Sequence, residues 1–163
     1  MKKKECGECE FARNPEKAEA RLHINSFLMG GLLTVLALIL TFSPDKFNLI
    51  VIGQIVLAIP LILFASLSYA KIGYERNHKI WDRFGWITTN IGYLLFLNST
   101  GLILSAFSFV ILTWIYFSLL LVLSIMYYTF NIISQPGTLK EHLLKLLLFF
   151  IVIICGGVLP IIL

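Results

Sequence analysis

The longest uncharged stretch of the chain, residues 84–139, most constrains what the protein can be. Its 56 residues contain no Asp, Glu, Lys, Arg or His. As one straight helix it would be roughly 84 Å long at about 1.5 Å per residue, whereas the hydrocarbon core of a bilayer is about 30 Å thick. The stretch therefore predicts two transmembrane helices joined by a turn.

The whole chain has the composition of an integral membrane protein. Of its 163 residues, 58% are hydrophobic and 13% are charged, whereas soluble domains average about 45–50% apolar and about 25% charged residues. The chain therefore predicts an all-α, polytopic bundle of about five transmembrane helices behind an N-terminal tail at residues 1–24. Within the transmembrane domain, residues 25–163, the predicted spans are at about residues 25–42, 47–70, 84–104, 107–130 and 142–163.

The turn inside the uncharged stretch has two candidate positions. The sequence Asn-Ser-Thr-Gly at residues 98–101 has the best turn chemistry, but a turn there leaves a short third span and a fourth of about thirty residues. A turn at residues 105–108 divides the two lengths more evenly. We therefore place the turn at residues 105–108.

The basic residues predict how the chain is oriented. With the N-terminus inside, twelve of the thirteen Lys and Arg residues lie on the cytoplasmic side and only Lys46 lies outside. Five spans then place the C-terminus on the external side of the cell (cytoplasmic) membrane. We expect the basic inner surface to contact anionic lipid headgroups rather than nucleic acid.

Two cysteines in the tail, Cys6 and Cys9, have the spacing of half a zinc site or of a redox pair. A complete site with four thiolates needs the same pair from a second copy, although His23 could add one ligand. Zinc is thus the one cofactor that the sequence suggests, and a thiol or zinc sensor is one hypothesis. An incidental thiol pair in the tail is the simpler interpretation.

Catalytic chemistry has few candidate residues. No carboxylate, histidine or basic residue lies deep in a predicted span, where transporters and membrane enzymes commonly place one. Glu75, His78 and Asp82 form the only concentrated set, and their spacing fits no catalytic pattern. His23 and His142 lie near the ends of predicted helices. We therefore predict that the protein is not an enzyme.

Amides and hydroxyls inside the predicted spans are the remaining candidates. They are Gln54, Asn90 and Asn98, together with Thr89. Such groups could line a path for an ion, because their oxygens can replace part of its hydration shell. They could also form hydrogen bonds between helices, worth roughly 0.6–2 kcal/mol each. We favour the hydrogen bonds, and we expect Gln54 to point at another helix.

Small side chains form one face of the first predicted span. Ser26, Gly30, Thr34, Ala37 and Thr41 recur every three or four residues, and we call these five residues the small face. Small residues let transmembrane helices approach closely. We therefore expect a non-enzymatic structural or interaction subunit that self-associates or binds a membrane partner. A small oligomeric channel or passive transporter is the alternative.

Overall fold

The computed structural model describes residues 15–42, 46–72, 78–134 and 139–162, and every long element within these residues is a helix. A π-helical turn at Ile154–Val158 connects the last two helices. We call these two helices and the turn between them the fifth span. The helices are α1 (Pro15–Phe42), α2 (Leu49–Ile72), α3 (His78–Ala106), α4 (Val110–Ser134), α5 (Leu139–Ile153) and α6 (Leu159–Ile162).

The structure confirms the predicted all-α class and the number of candidate spans. Among the residues that the structure describes, five stretches are long and apolar enough to cross a membrane, and each overlaps one predicted span. Because α1 already begins at Pro15, the end of the tail and the first span form one continuous helix. The five stretches are Ala18–Thr41, Leu49–Ile72, Ile80–Ala106, Val110–Phe130 and Lys145–Ile162.

The turn between α3 and α4 lies at residues 107–109. Ser108 has a φ of 63° there, in the left-handed region that reverses a helix end. The Asn-Ser-Thr-Gly segment at residues 98–101 remains helical. Its Ser99 and Thr100 hydroxyls donate to the Phe96 carbonyl oxygen at 2.8 and 3.0 Å, so these polar groups are satisfied without a turn.

Helices α2 and α3 form an antiparallel pair at the centre of the bundle. The buried hydrophobic residues of α2 are spaced alternately by four and three positions, as in a coiled coil. They are Val51, Ile55, Ala58, Ile62, Ala65 and Tyr69. On α3, glycines occur seven residues apart on the facing side. A Cβ at Gly85 would lie 2.9 Å from Tyr69 Cε1, and a Cβ at Gly92 would lie 2.8 Å from Ile62 Cγ1, so glycine permits the close approach.

Helix α1 packs against this pair through its large residues. Leu32 and Ile39 are buried in the same core cluster as Ile55 of α2. The small face is exposed along its whole length, and a Cβ at Gly30 would meet no atom within 4 Å. Within the described residues, the chain thus leaves its small face uncovered.

Helix α4 joins the bundle through buried and half-buried side chains that include the neighbouring aromatic residues Tyr116 and Phe117. The Tyr116 hydroxyl donates to the Leu97 carbonyl oxygen of α3 at 3.0 Å. Phe117 is 1% exposed, and its ring lies against Gly101 of α3 and Gly157 of the fifth span. Up to residue 130, where its side chains are described, most other side chains of α4 are exposed apolar groups, as expected for a helix that faces lipid.

Candidate functional site

The fifth span departs from α-helical geometry where its sequence reads Ile-Cys-Gly-Gly-Val. The Leu159 N–H donates to the Ile154 carbonyl oxygen, five residues earlier, as in a π-helix. In an α-helix the Gly156 carbonyl oxygen would accept from the N–H of residue 160. That residue is Pro160, which has no N–H. The Gly156 carbonyl therefore lacks its usual α-helical donor.

Two side-chain amides from neighbouring helices donate to backbone carbonyls of this region. Gln54 Nε2 on α2 donates to the Gly156 carbonyl oxygen at 2.6 Å. Asn98 Nδ2 on α3 donates to the Val152 carbonyl oxygen at 2.9 Å. Gln54 is 8% exposed and Asn98 is 0% exposed. These bonds join α2 and α3 to the fifth span, and we call Gln54 and Asn98 the amide pair.

The two glycines of the π turn make room for Asn98. A Cβ at Gly156 would lie 2.6 Å from Asn98 Nδ2, and a Cβ at Gly157 would lie 2.9 Å from Asn98 Oδ1. The Asn98 amide therefore lies directly against the backbone of the fifth span. A side chain at either glycine would displace it.

Each member of the amide pair has a buried oxygen without a hydrogen-bond partner in the described part of the chain. These atoms are Gln54 Oε1 and Asn98 Oδ1. Flipping either amide would place its oxygen against a backbone carbonyl oxygen, so the contacts fix which end is the oxygen. Buried polar groups normally have a partner, since leaving one without costs roughly 1–3 kcal/mol. Both oxygens can accept a hydrogen bond from a small guest.

The other two polar residues singled out by sequence, Asn90 and Thr89, lie apart from the amide pair. Asn90 Nδ2 donates to the Trp86 carbonyl oxygen of its own helix at 2.6 Å. The Thr89 hydroxyl donates to the Tyr69 hydroxyl oxygen of α2 at 3.4 Å. Asn90 precedes Asn98 by about two helical turns on α3. The structure thus brings together only Gln54 and Asn98 of the four.

The opposite end of the bundle has an ion pair that the sequence pattern does not reveal. Arg21 Nη1 of α1 donates to Asp82 Oδ1 of α3 at 2.7 Å. The Arg21 guanidinium also lies 5.0 Å from the centroid of the Tyr69 ring. The pair joins residues 61 positions apart in the chain, so no local spacing could have indicated it.

Two lysines at this end lie over tryptophan rings of α3. Lys71 Nζ is 4.3 Å from the Trp81 ring centroid, and Lys145 Nζ is 4.8 Å from the Trp86 ring centroid. Such cation–π contacts are worth about 0.5–1 kcal/mol at exposed sites. They place two positive charges around α3 at the same end of the bundle as Arg21.

The predicted metal and loop residues fall largely beyond what the structure describes. Cys6, Cys9 and Glu75 lie outside the described residues, as do the side chains of His78 and His142. Of the described candidates, His23 is exposed and its Nε2 lies 3.8 Å from Glu19 Oε1, and Asp82 pairs with Arg21. Within the described ranges, no three of His, Cys, Asp and Glu come together as metal ligands.

Comparison with known proteins assigns no family. The sequence matches no family model, no curated protein and no solved structure.

Proposed function

We propose that the protein is a non-enzymatic membrane subunit that self-associates in the bilayer through the small face of α1. The glycines of the chain carry this proposal. At Gly85, Gly92, Gly101, Gly156 and Gly157, a Cβ would approach another side chain to 2.9 Å or closer. At Gly30 and Gly31 of α1, and at Gly53 of α2, a Cβ would meet nothing within 4 Å. Contacts inside the chain explain the first group but not these three glycines, and of the three Gly30 belongs to the small face.

The small face suits a second transmembrane helix. The Ser26 hydroxyl donates to the Leu22 carbonyl oxygen at 2.9 Å, and the Thr34 hydroxyl donates to the Gly30 carbonyl oxygen at 2.8 Å. The hydroxyls of Ser26 and Thr34 are therefore satisfied within α1, and no large side chain projects from the small face. Association of transmembrane helices depends on van der Waals packing, which small residues increase by bringing the backbones together. A second copy of α1 supplies a matching flat surface.

The charged end supports the sidedness of this subunit. Arg21, Lys71 and Lys145 lie at the end of the bundle where α1, α3 and α5 begin and α2 ends. Basic residues accumulate on cytoplasmic flanks of membrane proteins. We therefore assign this end and the N-terminus to the cytoplasmic face of the cell membrane, next to anionic headgroups, and the C-terminus to the external face.

The contacts of the amides favour a structural role over an ion path. The donor groups of Gln54, Asn90 and Asn98 all bond to backbone carbonyls within the bundle. Next to the amide pair, Ala58 and Leu94 are 0% exposed. An ion path would need polar groups that continue through this level of the bundle.

The proposal is tested with the variant Gly30→Leu in liposomes at low protein-to-lipid ratio. We expect dimer formation, measured by energy transfer between labelled copies, to weaken about tenfold, which is about 1.4 kcal/mol. Because a Cβ at position 30 meets nothing within 4 Å and the small face is exposed, the fold and its melting temperature should persist.

The matched control is Ser118→Leu, which enlarges an exposed small residue on α4 and should leave association unchanged. Wild-type protein that stays monomeric at every ratio would overturn the proposal. Unchanged association of Gly30→Leu would show that another surface carries the contact.

A further inference from the structure

A cavity of about 180 Å³ opens at the end of the bundle where α2 begins and α3 ends. We call it the end cavity. Its lining combines polar residues with apolar residues from three different spans. Its lining includes Lys46, Asn48, Val51, Leu102, Ser105 and Pro160.

The end cavity lies one helical turn from the amide pair on all three spans. Val51 precedes Gln54 by three residues, Leu102 follows Asn98 by four, and Pro160 follows Gly156 by four. Residues three or four positions apart lie above one another on a helix. Because α2 runs opposite to α3 and to the fifth span, each of these steps leads in the same direction, from the cavity into the bundle.

The chemistry of the site selects a neutral hydrogen-bond donor. Gln54 Oε1 and Asn98 Oδ1 both require a donor. Among the described lining residues there is no carboxylate, whereas Lys46 is positively charged, and a positive charge disfavours a bound cation. At about 30 Å³ per water molecule, the end cavity holds roughly six waters.

We propose that the end cavity is an aqueous vestibule and that water from it hydrogen-bonds to the amide oxygens of Gln54 and Asn98. One helical turn is about 5.4 Å, a distance that about two water molecules bridge. Both amide oxygens are buried and Asn98 is itself 0% exposed, so water reaches them only as the side chains between them and the end cavity move. Ala58 and Leu94, beyond the amide pair, are also 0% exposed, so the proposed water path ends at the pair. It hydrates the π turn from one side of the membrane without crossing it.

The test observes Gln54 directly. The chain contains two glutamines, Gln54 and Gln135, so labelling glutamine side chains with ¹⁵N gives two amide signals, and Gln135→Glu assigns them. In nanodiscs of deuterated lipid, we expect magnetisation transfer from water to the Gln54 amide. The variant Ser105→Trp fills the end cavity and should reduce this transfer at least fivefold, while Ser118→Trp on α4 should leave it unchanged.

A second measurement does not depend on the bulky variant. In a chain with Cys6→Ser, Cys9→Ser and Cys155→Ala, a cysteine at position 105 should react with a charged, membrane-impermeant thiosulfonate at least tenfold faster than one at position 119, an exposed apolar position on α4. Equal rates would overturn the vestibule.

Three results in the spectra would overturn the proposal that water binds the amide pair. The first is no magnetisation transfer from water to the Gln54 amide in the wild type, and the second is transfer that Ser105→Trp leaves intact. The third is a Gln54 signal that shifts with sodium chloride but not with choline chloride. The last result would identify a cation as the occupant.

Discussion

Gln54 on α2 donates its side-chain amide to the carbonyl oxygen of Gly156 in the fifth span, 102 residues later, at 2.6 Å. Pro160 lies four residues after Gly156 and has no N–H, so the proline removes the α-helical donor and a side chain of another helix replaces it. The carbonyl that loses its donor within the fifth span therefore accepts a hydrogen bond that links this span to α2.

We predict that Gln54→Leu destabilises the protein by about 1–3 kcal/mol, because it leaves the Gly156 carbonyl without this donor inside the bundle. Unfolding in mixed detergent micelles measures the change. Asn90→Leu is the matched control, since the Asn90 amide bonds only within its own helix. This variant should lose less than half as much free energy of unfolding as Gln54→Leu. Equal losses of stability in the two variants would show that Gln54 does not stabilise the protein by joining α2 to the fifth span.

Gly157→Ala should also destabilise the protein, although alanine normally favours a helix by about 1 kcal/mol. A Cβ at Gly157 would collide with the Phe117 ring, and overpacking costs typically 1–3 kcal/mol. Gly30→Ala, where a Cβ meets nothing within 4 Å, should be neutral or stabilising. Melting temperatures in detergent give the sign of the stability change for each variant. A change of the same sign in both would contradict the close packing of Phe117 against Gly157.

Phe117→Leu should partly rescue Gly157→Ala, because the smaller side chain vacates part of the space. The double variant should be more stable than the sum of the single changes by at least about 1 kcal/mol. Strict additivity would mean that residues 117 and 157 do not contact each other.

The ion pair between Arg21 and Asp82 should contribute a small and salt-sensitive energy. The side chains are 26% and 59% exposed, so we expect a coupling of about 0.5–1 kcal/mol from the double-mutant cycle of Arg21→Gln and Asp82→Asn. It should fall in 1 M salt. The exposed pair of Glu19 and His23, at 3.8 Å, should give a coupling near zero. A larger coupling there would contradict this ranking.

Reconstituted protein should carry no flux of sodium, potassium or chloride above that of empty liposomes. The amide donors are bonded to backbone, and the adjoining residues Ala58 and Leu94 are 0% exposed. Ion-sensitive dyes inside the liposomes measure the flux. Flux that Gln54→Leu or Asn98→Leu alters in folded protein would favour the channel alternative.

Sequence alone predicts the spans well because membrane burial is a property of long segments. The uncharged stretch at residues 84–139 had to contain a turn, and its length placed that turn near Ser108. The segment at residues 98–101 shows where local reasoning fails. Its polar residues resemble a turn, but Asn98 bonds to the fifth span and Gly101 accommodates Phe117.

The candidate site is only partly readable from the sequence. That Gln54 would point at another helix follows from the energy of an amide in lipid, yet its partner depends on Pro160, more than a hundred residues away. The Asn98 amide likewise lies against the two glycines of the π turn, which no periodicity indicated. The small face was visible from its spacing, but only the structure shows that no part of the described chain covers it.

The most direct test of the account is the location of the two ends of the chain, since five crossings require them to lie on opposite sides. Reporters that are active only inside or only outside the cell, fused before Met1 or after Leu163, measure this in intact cells. We expect Met1 in the cytoplasm and Leu163 outside. Both ends in the same compartment would require an even number of crossings and would contradict it.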